Sequence, residues 1–180
     1  VTDATGGVTQ LTWDARENLI EAIDPENRTI SFEYNENDWL IKETRHNGET
    51  RIYAYYPDGL VSQLVDAKGQ VTKFDYDDAG NLTLLTRYTS ITETEVSNSI
   101  GYEYDQLNRL VSYDDESTSG TYRYNDRGDM VGMTVNYGPF SKSHSYDYYP
   151  NRNLKSYTNP EGIVYTYTYT QNNDLQTVLI

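Results

Sequence analysis

An aromatic residue recurs about every 21 positions along nearly the whole chain, and this spacing restricts the fold more than any other feature. Taken as anchors, the series runs Trp13, Tyr34, Tyr55, Tyr76, Tyr104, Tyr124, Tyr148 and Tyr169, with steps of 21, 21, 21, 28, 20, 24 and 21 residues. Two residues before each anchor stand Leu11, Phe32, Tyr53, Phe74, Tyr102, Tyr122, Tyr146 and Tyr167. Six residues after it stand Leu19, Leu40, Val61, Leu82, Leu110, Met130, Leu154 and Leu175, all apolar. A period this short marks an array of small units, each unable to bury its apolar side alone and stable only against its neighbours.

The unit reads as strand, turn, strand. Between anchor and apolar position lie "DAREN", "NENDW", "YPDGL", "DDAGN", "DQLNR", "NDRGD", "YPNRN" and "TQNND". Asp, Asn, Gly and Pro supply positive φ, side-chain-capped turns or a preset φ. The incoming strand alternates: in Val164–Thr170, Tyr165, Tyr167 and Tyr169 share one face and the threonines the other. Polar links such as "DPEN", "HNGE", "AKGQ" and "NPEG" join hairpin to hairpin. The outgoing strand is less regular. Its apolar residues recur six and nine after the anchor, as in Leu82 and Leu85 or Leu110 and Tyr113. That odd offset means either that both faces are partly covered or that a bulge intervenes. Two insertions interrupt the period. Thr89–Ser99 reads as an exposed loop or a hairpin extension with Ile91-Thr92 and Glu95-Val96 as strand ends, and "NYGPFSKSHS" is a shorter one.

Composition agrees and excludes. The chain has 19 tyrosines, no long segment with a helical apolar stripe, and no cysteine, so disulfides and thiolate chemistry are ruled out. A formal net charge of -14 argues against nucleic acid and anionic membranes as partners. No apolar run nears the roughly 20 residues of a membrane-spanning helix. His46 and His144 are isolated and read as solvated, Trp13 as a packed anchor and Trp39 as exposed in its turn. The aspartates around Tyr76 belong to one copy among eight, so no unique acidic centre stands out; no catalytic, cofactor or metal residues are assigned, and no enzyme is expected.

The motif Y-x-Y-D-x-x-G-x-L, best kept in "FDYDDAGNL" (Phe74–Leu82), "YEYDQLNRL" (Tyr102–Leu110) and "YRYNDRGDM" (Tyr122–Met130), resembles the Rhs/YD-repeat family. The likeness spans about residues 7–180. It implies hairpins joined edge to edge into a curved sheet, part of a spiralling hollow β-shell. Such shells occur in bacterial polymorphic toxins, in cocoon subunits of insecticidal toxin complexes and in teneurins. In the bacterial members the shell encloses a C-terminal toxin domain, and a later segment cleaves itself with D-P-x-G aspartates. "DPEN" at Asp24–Asn27 lacks that glycine and "NPEG" at Asn159–Gly162 lacks the aspartate, so both read as turns.

The expectation is an all-β chain of tandem antiparallel β-hairpins, about 16 strands at ~4.8 Å spacing, forming a single array across residues 1–180. Its repeats fall at about 7–25, 26–46, 47–67, 68–88, 98–116, 118–135, 142–160 and 161–180, and the chain is expected to be a fragment of a larger protein. The expected function is a non-enzymatic scaffold, secreted or at the cell surface, partnered by flanking repeats and an enclosed toxin domain. Its open edges invite self-association. The competing reading is a cell-surface adhesion module that binds glycan or protein.

Overall fold

The computed structural model describes every residue of the chain except Asp3 and Thr5. Sixteen strands lie in one unclosed sheet whose order follows the chain. The first hairpins are built from β1 (Gln10–Trp13), β2 (Leu19–Ile23), β3 (Thr29–Tyr34), β4 (Leu40–Arg45), β5 (Thr50–Tyr55), β6 (Val61–Val65), β7 (Val71–Tyr76) and β8 (Leu82–Tyr88). The later ones use β9 (Val96–Tyr104), β10 (Leu110–Asp114), β11 (Ser119–Tyr124), β12 (Met130–Asn136), β13 (Ser141–Tyr148), β14 (Leu154–Thr158), β15 (Val164–Tyr169) and β16 (Leu175–Leu179). No helix occurs among the described residues. The chain divides into two compact units, Val1–Ser99 and Ile100–Ile180. Each is an array of the same hairpin.

One irregularity recurs in all eight hairpins and resolves the odd offset. In the first, Thr12 faces Glu21 but Trp13 faces Leu19, so Ile20 is an extra residue. Ile41, Ser62 and Thr83 are its equivalents in the other hairpins of the first unit. In the second unit the extra residues are Val111, Val131, Lys155 and Gln176. The anchor therefore faces the residue six on, while the aromatic two before it faces the residue nine on. Residues directly opposite share a face. Without the bulge these two outgoing positions would point to opposite faces; with it they join one.

That face continues across the links. The residue nine after an anchor faces the residue four before the next one, as in Leu64 with Thr72, Tyr113 with Gly120 and Tyr157 with Tyr165. In the second unit the result is a run of near-parallel rings. His144 lies 5.8 Å from Tyr157, Tyr146 5.3 Å and Tyr165 5.8 Å, with interplanar angles of 10°, 23° and 23°. His144 is thus half-buried on β13, its Nδ1 2.7 Å from the Tyr157 hydroxyl, rather than solvated as the sequence suggested. Where a ring needs room, glycine provides it: a Cβ on Gly120 would lie 2.1 Å from the Tyr113 ring. The opposite face is mixed: one row across β5 to β8 is formed by Ile52, Val65, Val71 and Tyr88, and polar pairs fill other positions. Lys42 pairs with Glu33 at 2.8 Å, Ser112 donates to Glu103 at 2.7 Å, and Thr168 meets Thr177 at 2.6 Å.

Among the described apolar side chains only Val65 and Val71 are buried, and they are register partners on β6 and β7. A domain with a core places a second layer over its sheet. Each unit here is a single layer, held by strand ladders and lateral side-chain contacts.

The insertions differ from expectation in one respect. β8 ends at Tyr88 and β9 begins at Val96, so Val96 is a strand end, whereas Ile91 and Thr92 sit in the turn between them. Backbone bonds from the Thr89 N–H to the Glu95 carbonyl and from the Glu93 N–H to the Ser90 carbonyl close that turn, with a run of hydroxyls through Ser90, Thr92 and Thr94 and an ion pair from Lys73 to Glu93. The second insertion lengthens β12 and β13 and ends in a turn where Tyr137 and Phe140 stack at 5.2 Å.

Candidate functional site

The residues that recur at fixed positions converge on the seams between successive hairpins. Five of the anchor tyrosines reach back to the hairpin before them. Tyr34 donates its hydroxyl to the Leu19 carbonyl at 3.0 Å, Tyr55 to Leu40 at 2.6 Å, and Tyr76 to Val61 at 3.1 Å. In the second unit Tyr124 donates to Leu110 at 3.0 Å and Tyr148 to Met130 at 2.9 Å. The acceptor is always the backbone of the apolar residue six after the previous anchor. Burial pushes the phenols of Tyr55, Tyr76 and Tyr148 above their ordinary range, so each stays a donor. The position two before the anchor carries no such bond, and Phe32, Phe74 and Leu11 are accepted there. At the two ends of the array, Trp13 and Leu175 are 54% and 57% exposed, the least covered of the anchor and apolar positions.

The turns share one geometry. In the first, Asp14 donates its N–H to the Asn18 carbonyl, Glu17 donates to the Asp14 carbonyl, and Glu17 takes φ 67°. The Asp14 carboxylate accepts from the N–H groups of Arg16 and Asn18. Asn35, Asp77, Asp105 and Asn125 do the same in their own turns. The links repeat this design at Asp24, Asp66 and Asn159. Asp24 of "DPEN" is therefore occupied by the Glu26 and Arg28 N–H groups and the Arg28 guanidinium, which hold its carboxyl below the ordinary range.

Two turns depart from this. Tyr56-Pro57 and Tyr149-Pro150 place a ring where the acid or amide would cap. Tyr56 donates to the Asp75 carboxylate at 3.1 Å and meets Tyr76 edge-on, with centroids 6.2 Å apart. Tyr149 donates to the Tyr167 carbonyl at 3.1 Å and meets Tyr169 edge-on, also at 6.2 Å. Each opens a cleft between its turn and the next hairpin, about 510 Å³ at Tyr56 and about 410 Å³ at Tyr149.

Turns also contact turns, by a rule that single-position periodicity does not reveal. The fifth turn residue of one hairpin packs on the fourth of the next. Where the fourth is glycine, the fifth is bulky. Trp39 stands over Gly59, Leu60 over Gly80 and Arg109 over Gly128, each approaching the missing Cβ within 3.0, 3.9 and 3.6 Å. Trp39 and Arg109 also cover the next anchor, with Trp39 5.3 Å from Tyr55 and the Arg109 guanidinium 4.5 Å from the Tyr124 ring centroid. Trp39 is thus packed, not exposed in its turn. Where the fourth residue carries a polar side chain, the fifth is a short polar one. Asn18 donates to Asp38 at 2.7 Å, Arg152 to Asp129 at 2.6 Å and Asn153 to Asn173 at 3.2 Å.

These contacts leave the acids spent on structure. Asp14, Asp77, Asp105 and Asp129 are all held below the ordinary carboxylate range. The leading causes are the Asn18 N–H for Asp14, the Asn81 amide for Asp77, Arg109 for Asp105 and the Asn125 amide for Asp129. No group of three His, Cys, Asp or Glu side chains among the described residues is arranged to hold a metal ion. His46 lies exposed in the link after β4. What the arrangement does is join one hairpin to the next.

Comparison with known proteins places this architecture. The family model for the teneurin YD-shell matches residues 2–93, just over half the chain. Mouse Teneurin-3 is 28% identical over 120 residues, 66% of this chain and 4% of that protein. The Photorhabdus luminescens Tc holotoxin pore with a TccC3 mutation superposes with a TM-score of 0.77 at 15% identity, over 93% of this chain and 10% of that one. The crystal structure of TcdB2-TccC3-Cdc42 gives 0.79 at 15% identity, over 94% and 10%. The chain spans a small fraction of each relative. With its hairpins, anchors and family match in agreement, the chain belongs to the teneurin YD-shell family of Rhs/YD-repeat proteins, and its hairpin array is a structural scaffold of that shell type.

Proposed function

We propose that this chain is a section of shell wall that encloses a C-terminal toxin domain within a larger secreted or surface-displayed protein. The observation that carries the reading is the single-layer sheet, in which five seams are stapled by an anchor tyrosine yet almost no apolar side chain is buried. A sheet held together laterally rather than by a core is suited to dividing one space from another. The bulge gathers the anchors and their aromatic neighbours on one face, so the wall has two different sides. The repeat boundaries near 7–25, 26–46, 47–67, 68–88, 98–116, 118–135, 142–160 and 161–180 mark its building blocks, and flanking repeats would cover β1 and β16.

Limited proteolysis of the full-length parent tests this. A domain outside the array should resist cleavage in the native protein and become sensitive when Tyr76→Ala and Tyr148→Ala loosen the wall. A parent whose other domains are cut equally in both states would overturn the enclosure and leave the scaffold standing.

A further inference from the structure

We propose that the cleft between the seventh and eighth hairpins, lined by Tyr149, Pro150, Asn151, Asn153, Tyr169 and Asn173, is a binding site for an uncharged oligosaccharide. The inference does not rest on enclosure. Its starting point is the pair of clefts made by the two Tyr-Pro turns. They have the same backbone plan but opposite linings. The cleft at Tyr56 includes Asp58, Asp75, Asp77 and Asp78. The cleft at Tyr149 is lined by no acid or base, only by asparagines, tyrosines, a proline, Thr168 and Thr170. In a chain with 28 acidic residues and a formal net charge of -14, this neutral lining is a local exception. Because the same cleft forms at Tyr56, away from either end of the array, it is a property of the Tyr-Pro turn and not of a chain end.

The lining selects the ligand class. An ion entering the cleft would lose hydration without meeting a countercharge. A purely apolar ligand would strip water from the three amides. A sugar meets both demands, offering hydroxyls that donate and accept and C–H faces that lie against aromatic rings. The volume of about 410 Å³ lies within the range of small-ligand sites, roughly 300–1,000 Å³. The amides are arranged in advance. The side-chain amides of Asn151 and Asn153 both donate to the Asn173 side-chain oxygen Oδ1, at 2.9 and 3.2 Å, which sets their planes and leaves the Asn153 Oδ1 and Asn173 Nδ2 out of those bonds. Tyr149 is held by its own bond to the Tyr167 carbonyl. Groups fixed before binding lose less entropy when a ligand arrives.

The test is a glycan array of neutral and sialylated oligosaccharides probed with the 180-residue chain and three variants. Saturable binding to neutral members is expected, weakened at least tenfold by Asn173→Asp and by Tyr149→Ala, and changed less than twofold by Tyr56→Ala. Asn173→Asp keeps the fold, because Asp38 holds the equivalent turn position at φ 61° against 66° for Asn173. No saturable binding to any neutral member would overturn the proposal. So would equal binding to sialylated members, indifference to Asn173→Asp, or an equal loss in Tyr56→Ala.

Discussion

Between the first and second hairpins Asn18 meets Asp38 through a 2.7 Å hydrogen bond; between the second and third, Trp39 lies on Gly59 with a ring carbon 3.0 Å from where a Cβ would be. The backbone positions are the same and the chemistry is opposite. The first seam joins two short polar side chains and adds Arg16, which donates to the Asn35 and Glu36 carbonyls. The second joins a large ring to an empty place, and the ring covers Tyr55 as well. The comparison shows that what the array preserves is a fit between neighbours rather than a residue. The second unit repeats both solutions, with Arg109 over Gly128 and Asp129 against Arg152.

The largest test exchanges one seam for the other. Trp39→Asn alone should destabilise by about 2–4 kcal/mol, since it removes a half-buried ring. Gly59→Asp alone should cost about 1–3 kcal/mol, because a side chain there at φ 92° meets Trp39. The double variant rebuilds the polar seam and should recover at least about 1 kcal/mol relative to the sum, read from a double-mutant cycle by denaturant unfolding. Strict additivity would break the idea that the positions are matched.

A second test asks whether the anchor hydroxyl matters in both kinds of seam. Tyr34→Phe at the polar seam and Tyr55→Phe at the ring-on-glycine seam should each cost about 1 kcal/mol, the worth of one hydrogen bond to a carbonyl left unpaired. Phe32→Tyr, at a position with no such bond, should shift the midpoint little. No loss in either Tyr→Phe variant would show that ring area, not the hydroxyl, holds the seam.

Acid sharpens the contrast between turns capped by Asp and by Asn. Asp14 and Asp77 have folded-state pKa values lowered from 3.8, so their contribution is complete above the unfolded value and is lost as the pH falls through the lowered folded one. Thermal melting between about pH 5 and pH 2 should therefore fall less steeply in Asp77→Asn than in the parent. Asn35→Asp should steepen it. An unchanged slope in both would mean that the carboxylate bonds are not linked to folding. The smallest effect is expected away from the seams. Lys42→Ala, which breaks the exposed pair with Glu33 on the mixed face, should change stability by less than about 1 kcal/mol.

How much of this the sequence reveals depends on whether a feature lives at one position or at two. The anchor and the residue six beyond it are legible, because both keep one character in every copy. The need for a hydroxyl is legible in hindsight: phenylalanine appears at Phe32 and Phe74 but never as an anchor. The bulge leaves only an odd offset, which sequence reading detects without resolving. The turn-on-turn fit is hidden, because its residues change together. Position five reads Asn18, Trp39, Leu60, Asn81, Arg109, Asp129, Asn153 and Asp174, which looks like noise until residues are set against their neighbours in the next hairpin. Trp39 was misplaced for that reason, since nothing in its own turn shows the glycine 20 residues on. His144 was misplaced because its partner, Tyr157, comes from the next strand.

The tyrosine staple also has a direction. Its donor belongs to the later hairpin and its acceptor to the earlier one in all five of these bonds. A ribosome delivers the chain in that same order. Each new hairpin therefore emerges to find its docking carbonyl already in place, and the array can be laid down one course at a time from its N-terminal end.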